Sequence, residues 1–189
     1  MANSKLDRKK NTTLPLWSPP PEYAKNTTLA RFMQTAVAGR EFPDYHTLWR
    51  WSVENLEEFW SAAWDFLDVI GEKGDTSLTN ASRMPGAQFF PEARVNYAEN
   101  LLRRRDSAPA MIFQGEQRVT SEFSFEEVYD RVSLWAQALA KQGVQKGDRV
   151  VGYMPNMPEA IIAMLATTSL GAIWSSASPD FGPQGVLDR

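Results

Sequence analysis

The stretch KGDRVVGYMPNMPEAIIAMLATTSLGAIWSSASPD, residues 146–180, decides the fold. Residues 150–154 are almost all apolar, which is typical of a strand covered on both faces of a parallel sheet. A buried helix is predicted over residues 160–170, because apolar side chains occupy nearly every side of it. Residues 172–174 then predict a second strand. The stretch is therefore a strand–helix–strand unit with a right-handed crossover.

The ends of the predicted helix carry their own signals. Asn156 is the expected N-cap, and Pro158 suits the first turn, where a missing N–H costs little. Glu159 complements the positive end of the helix, and Gly171 is expected to end it in a left-handed conformation.

The loop after the second strand, residues 175–182, is the candidate binding site. Together with the short loop at Pro155-Asn156, it should lie at the carboxyl edge of the sheet, where ligands bind in open α/β folds. The alternative is a capped turn, in which a loop side chain accepts from the N–H groups of a helix that begins near Pro183. Under either interpretation the loop residues of interest are Ser178, Pro179 and Asp180.

Composition excludes several classes of site. The chain has 189 residues and a net charge of −3, so nothing electrostatic favours nucleic acid or an acidic membrane as a partner. It has no cysteine and one histidine, His46, which excludes disulfides, thiolate metal sites and multi-histidine metal sites. No apolar run approaches the roughly eighteen residues that a membrane span needs. A cytoplasmic location is expected.

Three segments organise the chain. Residues 1–25 read as an irregular, proline-rich leader, residues 26–105 as a helical N-terminal cap, and residues 106–189 as the start of an α/β core. In the core, residues 110–113 and 119–123 predict two strands. The helix that follows has a predicted buried face of Val128, Leu134, Trp135, Ala138 and Leu139.

The helical cap is rich in aromatic residues. Residues 46–53 predict a short helix, and Asn55 is expected to cap the next one. Trp60 and Trp64 lie one turn apart, which predicts that both are buried between helices. Residues 103–105 are three arginines, interpreted as a solvated helix end, with a nucleotide-phosphate site as the alternative.

Several segments, in this order, resemble the adenylate-forming enzymes, the family that includes the acyl-CoA synthetases. YMPNMPEAIIAMLATTSLGAIWSSASPDFG, residues 153–182, resembles the segment that precedes their phosphate loop. FSFEEVYDRVSLWAQAL, residues 123–139, resembles their first core motif. The N-terminal cap of some members is similar at Trp49, Trp51, Ser52, Val53, Phe59 and Trp60.

The resemblance implies an α/β fold: a helical cap followed by the first, incomplete part of a parallel-sheet AMP-binding core. It implies a ligase that joins a short acid to coenzyme A through an acyl-adenylate, using ATP and Mg²⁺. SSASPDFG (175–182) with GVLDR (185–189) is most similar to members that activate acetoacetate. Members that activate acetate usually carry a glycine pair at Pro179-Asp180.

The resemblance also implies site residues. Ser178, Pro179 and Asp180 would help to shape the crevice that admits the thiol of coenzyme A. Arg189 aligns with an arginine that contacts the nucleotide part of coenzyme A in acetate-activating members.

The family's phosphate loop and C-terminal lysine have no counterpart in residues 1–189, so no catalytic residue is expected in the chain. The economical interpretation is an N-terminal fragment of a larger ligase, whose partner is the remainder of the same polypeptide. The alternatives are a fragment of an acetate or propionate ligase, and a short non-catalytic protein that binds a partner through its aromatic cap.

Overall fold

The computed structural model describes residues 16–37, 39–116 and 120–188. The chain divides into two compact units, Met1–Leu67 and Asp68–Arg189. The first unit is helical, and its elements are α1 (Pro21–Lys25), α2 (Thr28–Thr35), α3 (Tyr45–Glu54) and α4 (Leu56–Phe66).

The starts and ends of these helices differ in part from expectation. Helix α1 lies inside the predicted irregular leader, because Pro21 occupies the first turn, where its ring is tolerated. The prediction that Asn55 caps α4 is wrong. Its side-chain amide instead donates to the carbonyl oxygen of Trp51 over 3.1 Å, so it closes the end of α3.

Aromatic rings form the core of the first unit. Trp51 is 4% exposed, lies 5.0 Å from Phe42 between ring centroids and meets Phe59 edge-to-face at 5.8 Å. Trp60 is 43% exposed, so its predicted burial is wrong, whereas Trp64 is partly buried. The reason is the helical period: α4 faces this core with Phe59, Ala62, Ala63 and Phe66, a stripe that leaves out position 60.

The described residues of the second unit form four small two-stranded sheets. The antiparallel pairs are β1 with β4, β2 with β3, and β5 with β6, and the parallel pair is β7 with β8. Its elements are β1 (Gly71–Glu72), β2 (Leu78–Thr79), β3 (Gln88–Phe89), β4 (Arg94–Val95), α5 (Tyr97–Leu101), β5 (Pro109–Gln114), β6 (Thr120–Ser124), α6 (Phe125–Lys141), β7 (Arg149–Tyr153), α7 (Pro158–Ser169), β8 (Ile173–Ala177) and α8 (Pro183–Leu187).

Helix α6 begins with a capping box. The Ser124 hydroxyl accepts from the N–H of Glu127 over 3.1 Å, and the Glu127 carboxylate accepts from the N–H of Ser124 over 2.8 Å. Its predicted buried face is wrong at three positions, since Leu134 is 66% and Trp135 40% exposed and Ala138 is exposed too. The stripe that reaches the core consists of Val128, Tyr129, Val132, Ala136 and Leu139.

The core of the second unit lies between α5, α6 and α7. It contains Ala98, Leu102, Phe123, Val128, Val132, Ile162, Leu165 and Ala166, all at most 9% exposed. This packing holds α7, and with it the parallel strands, in place.

The three arginines follow α5 rather than ending it. Arg103 donates to the carbonyl oxygen of Asp68 over 3.0 Å, and Arg104 forms a two-bond ion pair with Asp106 at 2.6 and 3.1 Å. The Arg105 guanidinium lies 3.7 Å from the centroid of the Tyr129 ring. They are exposed as predicted, but each makes a specific contact within the unit.

Candidate functional site

The parallel pair β7 and β8 places the candidate site. Its register runs from Arg149 opposite Ile173 to Tyr153 opposite Ala177, and α7 connects the strands. Both strands end together, so the segments that follow them emerge at one carboxyl edge, as predicted.

The second strand is longer than predicted. Ser175 and Ser176 belong to β8, which continues to Ala177, so this part of the expected loop is wrong. Backbone pairing with β7 explains the extension, because Val151, Gly152 and Tyr153 have partners at these positions. The loop itself comprises residues 178–182.

Helix α7 is capped differently from the prediction at its start but ends as predicted. Met157 holds the N-cap position without a side-chain hydrogen bond, so the prediction for Asn156 is wrong. Pro158 opens the helix as expected, since it needs no N–H there. Gly171, at φ +71°, ends the helix as predicted: its N–H donates to Thr168 and the N–H of Ala172 to Thr167, a Schellman motif.

The two faces of the parallel pair are not equally covered. Val151 is 60% and Ile173 53% exposed, so the prediction of a strand covered on both faces is wrong for the described residues. Helix α7 packs against both strands, and Gly152 is buried. A Cβ atom at Gly152 would lie 2.5 Å from Cη2 of Trp174, so the indole ring requires glycine there.

The loop 178–182 is held by its own polar groups. The Ser178 hydroxyl donates to Oδ2 of Asp180 over 2.8 Å, and the N–H of Phe181 donates to the Ser178 carbonyl oxygen over 3.0 Å. Gly182 is the N-cap residue of α8 and provides no side chain. The capped-turn alternative is therefore wrong, because Ser178 and Asp180 bond to each other rather than to the helix.

Tyr153, which the sequence interpretation missed, completes the site. It is the last residue of β7, and its hydroxyl lies 2.7 Å from the carbonyl oxygen of Phe181 and 3.2 Å from that of Pro179. The available signal was a tyrosine at the carboxyl end of a predicted strand, where its polar tip reaches the neighbouring loop.

Arg189 lies outside the described residues. The residue before it, Asp188, accepts a hydrogen bond from the side-chain amide of Gln184 over 2.7 Å. Helix α8, five residues long, directly follows the loop.

The loop has the character of a hydrogen-bond acceptor. Its Asp180 carboxylate can accept hydrogen bonds, whereas the backbone carbonyl oxygens of Ser178, Pro179, Phe181 and Gly182 already accept bonds within the protein and the Ser178 hydroxyl hydrogen is used by Asp180. Such a surface suits a ligand that donates hydrogen bonds, rather than a phosphate. Across the described ranges, no group of three or more histidine, cysteine or acidic side chains is placed to hold a metal ion.

Two family models match the chain in succession. The acetyl-coenzyme A synthetase N-terminus matches residues 45–101, and the AMP-binding enzyme family matches residues 98–188. Together the two models match residues 45–188 of the chain. The resemblance to adenylate-forming enzymes that the sequence predicts is thereby confirmed.

Over most of its length, the chain is similar to acetoacetyl-CoA synthetases. That of Rhizobium meliloti (strain 1021) is 50% identical over 177 residues, which are 93% of this chain and 27% of that protein. That of Macaca fascicularis is 41% identical over 181 residues, 92% of this chain and 26% of that protein. The chain spans about a quarter of the length of these relatives.

A solved structure confirms the fold class. Acetoacetyl-CoA synthetase from Streptomyces lividans superimposes with a TM-score of 0.83 at 38% identity, over 94% of this chain and 28% of that one. The α/β fold with a helical N-terminal portion is therefore the N-terminal part of an adenylate-forming enzyme fold. Within the described residues, no helix is both long and apolar enough to span a membrane.

Proposed function

We propose that this chain is the N-terminal part of an ATP-dependent ligase that joins acetoacetate to coenzyme A through an acyl-adenylate. The observation that carries the proposal is its 50% identity, across 93% of its length, to an acetoacetyl-CoA synthetase. The rival acids are acetate and propionate. The residues Pro179-Asp180 argue against these two acids, because the acetate-activating members that the sequence resembles usually carry two glycines at these positions.

In this proposal the loop 178–182 contacts coenzyme A at the carboxyl edge of β7 and β8. The Asp180 carboxylate would accept from an amide N–H group of the pantetheine arm, whose thiol must reach the acyl-adenylate. Ser178, Pro179 and Asp180 are the contact residues. The phosphate groups of coenzyme A need a cationic side chain instead. We assign this role to Arg189, because its planar guanidinium suits phosphate oxygens.

ATP and Mg²⁺ are assigned to the rest of the enzyme. The phosphate loop and the C-terminal lysine of the family have no counterpart in residues 1–189. The described residues also offer no acidic cluster for a divalent cation. This chain's contribution is to fold the cap, to begin the sheet and to form one side of the thiol crevice. A cysteine-free sequence supports a cytoplasmic location.

The proposal is tested with the purified full-length protein that contains this chain. Pyrophosphate release is measured with ATP and coenzyme A, and with acetoacetate, acetate or propionate as the acid. The expected result is the highest kcat/KM with acetoacetate. A higher value with acetate or propionate would support the rival ligase, and no turnover with any of the three acids would contradict the proposal.

A further inference from the structure

The hydroxyl of Tyr153 joins a strand end to a loop far along the chain. It donates to the carbonyl oxygen of Phe181 over 2.7 Å and lies 3.2 Å from that of Pro179, residues that follow it by 28 and 26 positions. These two carbonyls lie on either side of Asp180 in the sequence. One hydroxyl hydrogen, shared between two acceptors, therefore fixes the backbone on both sides of the Asp180 carboxylate.

We propose that Tyr153 is a positioning residue for coenzyme A: it fastens residues 178–182 so that the Asp180 carboxylate faces the thiol crevice. This inference rests on the proposed function of that loop. Tyr153 does not need to touch the ligand, since its effect is transmitted through the two loop carbonyls.

Other hydrogen bonds act within the loop itself. The Ser178–Asp180 bond and the bond from the N–H of Phe181 to the Ser178 carbonyl are internal to the loop and do not tie it to a strand. Just before the loop begins, the N–H of Met154 donates to the carbonyl oxygen of Ala177 over 3.1 Å. At the other end of the loop, the Gly182 carbonyl oxygen accepts from the N–H of Val186 over 3.3 Å, which joins that end to α8 rather than to a strand.

The test compares Tyr153→Phe with Tyr97→Phe in the full-length protein. Both tyrosines are about half exposed, 51% and 57%, but the Tyr97 hydroxyl makes no hydrogen bond to a described residue. Loss of one hydrogen bond predicts that the KM for coenzyme A rises about 2- to 12-fold in Tyr153→Phe. The KM values for ATP and acetoacetate should change less, and Tyr97→Phe should match the wild type. A coenzyme A KM that stays at the control value, or equal shifts for all three substrates, would overturn the inference.

A second measurement does not depend on activity. Amide hydrogen exchange at Ser178, Asp180, Phe181 and Gly182 should be faster in Tyr153→Phe than in the wild type and unchanged in Tyr97→Phe. If exchange is faster in Tyr153→Phe but the full-length protein has no ligase activity, then Tyr153 does hold the loop in place and the proposed function is wrong. If exchange in Tyr153→Phe is unchanged, Tyr153 does not hold the loop in place, whatever the ligase activity.

Discussion

The side-chain amide of Asn96 donates a hydrogen bond to the carbonyl oxygen of Thr168 over 3.1 Å, across 72 positions of sequence. The same NH₂ group reaches the carbonyl oxygen of Ser169, also at 3.1 Å. These carbonyls belong to the last turn of α7, where the regular i+4 donors run out, and the Thr168 oxygen also accepts from the N–H of Gly171. Its amide oxygen accepts from the N–H of Glu99 and so caps α5. One side chain therefore closes two helices and fixes the helix that leads into β8.

Asn96→Asp should destabilise the second unit by about 1–3 kcal/mol. The carboxylate keeps the cap on α5, but it loses the two donated bonds and places a negative charge beside the negative end of α7. Urea denaturation followed by circular dichroism measures the change. Asn156→Asp is the matched control, because the exposed Asn156 side chain caps no helix. Equal midpoints for the two variants would contradict the role of Asn96.

Trp51 and Trp60 should respond differently to truncation. Trp51→Ala should cost about 3–5 kcal/mol, because it leaves a cavity among aromatic rings and removes the indole bond to Glu58 at 3.1 Å. Trp60→Ala should cost roughly half of that or less, since the side chain is 43% exposed. Denaturation midpoints of the two variants test the difference. A larger loss for Trp60→Ala would show that this residue, rather than Trp51, supports the first unit.

Thr167→Val should stabilise the protein by about 1 kcal/mol. The Thr167 hydroxyl is fully buried and its oxygen has no hydrogen-bond partner in the structure, so an isosteric methyl group removes a desolvation cost. Thr168→Val is the matched control on the same helix, because its hydroxyl donates to the Met164 carbonyl over 2.8 Å. The melting temperature should rise only for Thr167→Val. An unchanged or lower value would mean that the hydroxyl has a partner, such as a bound water.

Local signals in the sequence predicted the backbone plan well. The left-handed end at Gly171 and the strand–helix–strand unit follow from signals along the chain, and the structure confirms both. What a side chain faces was predicted less well. Trp60 and Leu134 are apolar residues at helical spacing, but only one stripe of each helix packs against a core. Tertiary packing determines which stripe this is, and neither residue belongs to it.

The candidate site was only partly predictable for the same reason. The location of the loop follows from where parallel strands end. The pairing of Ser178 with Asp180, and the bond from Tyr153, depend on distances that no sequence pattern encodes.

The 189-residue chain alone should have no ligase activity. It lacks the family's phosphate loop and C-terminal lysine, so the phosphates of ATP have no preorganised cradle in it. Pyrophosphate release with ATP, acetoacetate and coenzyme A tests this, with a heat-killed sample as the control. Turnover above that control, after removal of host enzymes, would show that the chain holds catalytic residues of its own.

The most direct test of coenzyme A recognition at the carboxyl edge of β7 and β8 is the KM for coenzyme A of the full-length Arg189→Ala variant. Loss of a charge-assisted phosphate contact of about 1.5–3 kcal/mol predicts a rise of roughly 10- to 150-fold. The KM for ATP and acetoacetate should change far less, and acid-dependent pyrophosphate exchange should persist, because adenylation precedes thiol entry. The alternative is that Arg189 only forms a surface ion pair with Asp188, which would contribute under about 1 kcal/mol to stability. An unchanged coenzyme A KM, or equal shifts for all three substrates, would contradict recognition at this edge.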